Sequence, residues 1–72
     1  MEKLIFETNI TTPQSAHLVQ IALTQIRKIR RWKIDFESAY NLLIVEGIYL
    51  DHTEIISSLA INGIAAERLY EE

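Results

Sequence analysis

The chain has 72 residues, of which 49% are hydrophobic and 24% charged, with a net charge of −3 and no cysteine. That is enough for one small domain, rules out any disulfide, and leaves no run near the ~18 apolar residues of a membrane span. The acidic balance argues against general nucleic-acid binding. The missing cysteines and the lack of a leader-like start point to a soluble cytoplasmic protein.

Lys3 to Ile10 reads as a strand, with Leu4, Phe6 and Ile10 on one face and Lys3, Glu7 and Asn9 on the other. Thr12 is placed to cap a helix, and Pro13 suits its first turn, where a missing N–H costs nothing. Ala16, Val19, Leu23 and Ile26 follow at helical spacing, with Ala22 beside them. Arg27 and Lys28 would close this helix, where its dipole favours cations.

Ile29 to Phe36 reads as a second strand, with Trp32, Ile34 and Phe36 inward and Arg31, Lys33 and Asp35 outward. Glu37 to Asn41 makes a hairpin connection without a strong turn signal. A third strand, Leu42 to Glu46, is apolar on both faces, and Gly47 ends it. Asp51 and Glu54 have the spacing of a capping box for a second helix, with Ile55, Ile56, Leu59 and Ala60 as its buried stripe. Gly63 is a natural helix stop. Ile64 to Tyr70 is a last strand, and Glu71 and Glu72 form a frayed tail.

The order strand, helix, strand, strand, helix, strand predicts an α+β fold. Right-handed crossovers turn it into a four-stranded antiparallel sheet with both helices on one face, the ferredoxin-like arrangement. Alternation places Ile5, Glu7, Arg31, Lys33, Leu43, Val45, Glu67 and Leu69 on the open face. No aromatic is among them, so the base-stacking surface of RNA-recognition domains is not expected.

The chain resembles the heavy-metal-associated domains of copper chaperones and metal-pumping ATPases. Val19 and Leu23 fall on that family's helix-core positions. Ile29, Trp32, Ile34 and Asp35 fit its second strand, Leu42 and Ile44 its third, Leu50-Asp51 the start of its second helix and Gly63-Ile64 the end. The family's signature, Met-Thr-Cys-x-x-Cys, lies between the first strand and first helix. Here that place reads Ile10-Thr11-Thr12-Pro13-Gln14-Ser15.

The resemblance implies that Thr12 and Ser15 stand where two thiolates would hold Cu(I) or another soft ion. It also puts Ile64 where an aromatic or a lysine often lies beside the metal. A neutral hydroxyl is a hard, weak donor and does not replace a thiolate. His17 is the one weak candidate ligand nearby, and His52 belongs to the other end of the domain. No metal site and no cofactor are expected. Ser15 and His17 have no orienting acid, and no glycine-rich phosphate loop exists, so no catalytic constellation is visible.

The function expected is therefore a non-enzymatic interaction or adaptor module. Its working surface would be the open face, with Ile5, Leu43, Val45 and Leu69 at the centre and Arg31 and Lys33 on the rim, docking a protein partner or a second copy. Two alternatives stay open: a metal carrier with an atypical site in the first loop, and a small-molecule regulatory domain of the ACT type.

Overall fold

The computed structural model describes residues 1–70. Its elements are β1 (Glu2–Thr8), α1 (Pro13–Thr24), β2 (Ile29–Asp35), β3 (Leu42–Gly47), α2 (His52–Ile61) and β4 (Ala66–Leu69). The strands form one sheet in the order β2-β3-β1-β4, every neighbouring pair antiparallel. This is the ferredoxin-like βαββαβ fold.

Both helices pack on the same face, and the core lies between. Leu4 and Phe6 of β1, Val19, Ala22 and Leu23 of α1, and Ile55 and Leu59 of α2 are buried there. The helices touch through small side chains, where Ser58 Oγ donates to the Ala22 carbonyl at 3.0 Å. The end of α2 is a Schellman turn. Gly63, at φ 81°, donates to Ala60, and Ile64 donates to Leu59, each at 2.9 Å. Ile64 is consequently buried against Leu59.

The register of β3 corrects the sequence expectation. Leu43 and Val45 were expected on the open face, but both are fully buried under the helices. Leu43 pairs with Phe6 and Ile34, and Val45 pairs with Leu4 and Trp32. Leu42 and Ile44 take the open face instead. Four consecutive apolar residues give alternation nothing to choose by, and a one-residue slip exchanges the faces. Glu46 and Gly47 decide the register. Glu46 must face water, whereas a Cβ on Gly47 would lie 2.1 Å from the Lys28 carbonyl oxygen on the covered side.

Smaller boundaries also differ, and β1 ends at Thr8 rather than running to Ile10. Helix α1 stops at Thr24, capped by Gln25, so Arg27 and Lys28 lie in the following turn rather than in its last turn. The stop lets Ile26 and Ile29 pack against the core. Phe36 lies beyond β2 and is exposed, not inward, while Trp32 and Ile34 are half-buried because β2 is an edge strand. Strand β4 starts at Ala66 because Ile64 is used to end the helix. The tail expected at Glu71 and Glu72 falls outside the described residues.

Candidate functional site

Two places correspond to the expected sites: the loop between β1 and α1, and the open face of the sheet. The loop is fastened from both sides. On one side the Thr8 hydroxyl donates to the Asn41 carbonyl at 2.7 Å and its N–H to the Tyr40 carbonyl at 3.3 Å, tying the loop to the β2–β3 turn. On the other, the Asn9 N–H donates to the Ala65 carbonyl, and the Ala65 N–H donates to Asn9 Oδ1 at 3.1 Å. Ile10 is fully buried beneath this frame.

Above it, Thr12 caps α1. Its extended backbone and its Oγ1, accepting the Ser15 N–H at 3.2 Å, are those of an N-cap residue. The Ser15 and Thr12 hydroxyls also lie 3.1 Å apart, in hydrogen-bond contact. The two hydroxyl side chains, Thr12 and Ser15, are thus engaged with the helix end and with each other. They are neutral hydroxyls, hard and weak donors, and this donor set does not fit a soft metal ion. His17 is exposed on α1. Among the described residues, no three His, Cys, Asp or Glu side chains come together as a metal-holding group.

His52 begins α2 and has a partner of its own. Arg68 Nη1 donates to its Nδ1 at 3.3 Å, and the same guanidinium lies 4.4 Å over the Tyr70 ring. The helix caps keep this end ordered, with Asp51 Oδ1 accepting from Thr53 N at 2.9 Å and Glu54 N at 3.4 Å.

The open face is read from the strand register. Ile44 sits opposite Ile5 on one side and Lys33 on the other, and Ile5 sits opposite Leu69. Ile5, Ile44 and Leu69, each half-buried, therefore make an apolar strip across three adjacent strands, with Leu42 next to it. Ile5, Leu69, Arg31 and Lys33 lie on the face where they were expected. Glu46 lies below the strip, and Arg31 Nε and Nη2 donate to its two carboxylate oxygens, each at 3.1 Å. The guanidinium holds the Glu46 carboxyl below its ordinary value of 4.5.

Sequence reasoning missed Leu42, Ile44, Thr8 and Asn9. The first two were hidden by the uniform apolar run. Thr8 left a trace, as a lone hydroxyl on the Leu4, Phe6, Ile10 face, where it is now found buried and bonded.

The same fold is found in several solved domains. The N-terminal domain of PacS from Synechocystis PCC6803 matches with a TM-score of 0.81 at 11% identity, over 97% of this chain and 100% of that one. The yeast copper transporter domain Ccc2a matches with a TM-score of 0.84 at 14% identity, over 100% of both chains. The first domain of the human copper chaperone for SOD1 matches with a TM-score of 0.75 at 17% identity, over 92% of this chain and 89% of that one. No family model and no curated protein matches the sequence. At these identities the likeness is one of fold: the chain has the architecture of heavy-metal-associated domains and lacks the Cys-x-x-Cys pair. No described helix is long and apolar enough to cross a membrane.

Proposed function

We propose that this chain is a non-enzymatic protein-interaction module that keeps the heavy-metal-associated architecture, carries no soft metal, and works in the cytoplasm through its open sheet face. The observation that carries the reading is the Thr12–Ser15 pair. The place where structurally similar domains would hold an ion is here a closed helix cap. What remains available is the strip of Ile5, Ile44 and Leu69 between charged neighbours, the composition of a docking centre with a polar rim. An enzymatic role finds no support in this geometry, since the Ser15 hydroxyl engages Thr12 rather than a base.

Titration of the purified protein with Cu(I) and Zn²⁺ against a chromophoric chelator tests the reading. No competition below roughly micromolar free metal is expected. Stoichiometric binding tighter than this, abolished by Thr12→Ala, Ser15→Ala or His17→Ala, would replace the interaction module with a metal carrier.

A further inference from the structure

We infer that the open face docks a second copy of this chain, face to face with antiparallel strands, so that the acidic end of each sheet covers the basic end of the other. The inference rests on the reading of that face as the working surface and names its occupant.

The face is ordered in rows across the strands. Nearest the first loop, Asp35 and Glu7 flank Leu42, and Glu67 sits opposite Glu7, giving three carboxylates in one row. The next open-face row is the apolar strip, with Lys33 at its β2 end. The last holds Lys3 beside the Arg31–Glu46 pair, whose charges neutralise each other. Among the described residues, Lys3 and Lys33 are the cations of this face that form no ion pair. Rows on one face are two residues apart, so the outer rows are separated by roughly 13 Å. That exceeds the screening length of about 8 Å at physiological salt, and the ends act as separate poles.

Two stacked sheets related by a two-fold axis lying between them have two simple arrangements. An axis along the strands sets the carboxylate row against itself. An axis across the strands sets it against Lys3 and the Arg31–Glu46 pair of the other copy and lays the apolar strip on itself, with Lys33 facing Lys33 at the strip's edge. Only the second brings unlike charges together at the outer rows, and it is isologous, so it closes at two copies. Facing sheets lie about 10 Å apart with strands within about 30° of alignment, a distance that lysine and glutamate side chains bridge. The hidden positions of β3 agree: Leu42 and Ile44 make this central strand apolar on both faces, the pattern of a strand covered on both. Four strands about 4.8 Å apart and some 17 Å long offer on the order of 300 Å² per copy. This is below the size of stable interfaces, so the dimer is weak and sensitive to concentration and salt.

Sedimentation equilibrium of the intact chain tests the inference through a charge exchange. One variant carries Glu7→Lys and Glu67→Lys; the other carries Lys3→Glu. Circular dichroism confirms that each is folded, and Ile44→Lys in the middle of the strip substitutes for either one that is not. The wild type is expected to show dimer mass at about 1 mM and low salt, and to lose it at high salt. Each charge variant alone should associate roughly tenfold more weakly or worse, and an equimolar mixture should recover the dimer. With Ile44→Lys in use, loss of the wild-type dimer is the supporting result. A wild type that stays monomeric at about 1 mM and low salt overturns the inference, as does a mixture of folded charge variants that fails to re-associate, or a dimer that survives Ile44→Lys. These results leave the metal titration unaffected, so failure here and failure of the functional reading are told apart.

Discussion

The hydroxyls of Thr12 and Ser15 lie 3.1 Å apart and close the first turn of α1. Their three-residue spacing is that of a Cys-x-x-Cys pair, but their chemistry is that of a helix cap. One of the unsatisfied N–H groups at a helix start finds its acceptor in Thr12 Oγ1.

Removing that acceptor has a defined cost. Thr12→Ala is expected to destabilise the domain by about 1 kcal/mol, the usual loss for an N-cap. Urea denaturation measures it. An unchanged midpoint would mean that water caps the helix equally well.

Introducing thiolates should introduce a metal site. Thr12→Cys with Ser15→Cys puts two soft donors at the spacing the fold accommodates, and the double variant is expected to compete for Cu(I) where the wild type does not. The chelator titration reads the gain directly. No gain would show that the bracing by Thr8 and Asn9 has locked the loop in a shape unsuited to an ion.

The two faces of β3 should respond oppositely. Leu43→Ala opens a cavity among Phe6, Ile34 and the helices and is expected to cost about 3 kcal/mol, a large share of a small domain's stability. Ile44→Ala, on the open face, should cost under about 1 kcal/mol. Thermal melts of the two variants decide between this register and the opposite one.

Gly47 is required for space. A Cβ there would meet the Lys28 carbonyl oxygen at 2.1 Å and Leu50 Cδ2 at 2.7 Å. The Lys28 carbonyl also accepts the Ile48 N–H at 3.1 Å, so the backbone cannot retreat without losing a bond. Gly47→Ala is expected to cost about 2 kcal/mol or more by overpacking, seen as a lowered denaturation midpoint.

Acid should weaken the Arg31–Glu46 tie. The Glu46 carboxyl is held below its ordinary 4.5, first by the hydrogen bond from Arg31 and then by nearby positive charge, while desolvation opposes the shift. A group whose value is depressed on folding binds fewer protons folded than unfolded. Its contribution is therefore present above 4.5 and fades as pH falls through the lowered folded value. The Arg31 side chain is largely exposed, so the effect is small. Glu46→Gln should flatten this part of the stability-versus-pH curve, and an unchanged slope would show that the pair contributes nothing to it.

Much of this was legible from residue types alone. Thr12-Pro13, Asp51 and Gly63 marked helix ends because capping is chemistry between neighbours in the chain. The alternation in Lys3 to Glu7 and Arg31 to Asp35 located the covered faces of β1 and β2 because charged residues broke the apolar pattern. The metal-site question was equally local, since the donors are either present in the first loop or not.

The sequence by itself determined the element order, the caps, the sheet's two outer faces in β1 and β2, and the absence of thiolates. Only the tertiary structure decided which side of β3 faces the helices. Its apolar run satisfies either side locally, and the choice falls to distant constraints: the close approach of Gly47 to Lys28, and Glu46 reaching Arg31 in the open. The working face inherits that decision. Ile44 became the centre of the exposed strip, and Leu43 the centre of the core, because pairing with β1 and β2 fixes the register of all three strands together.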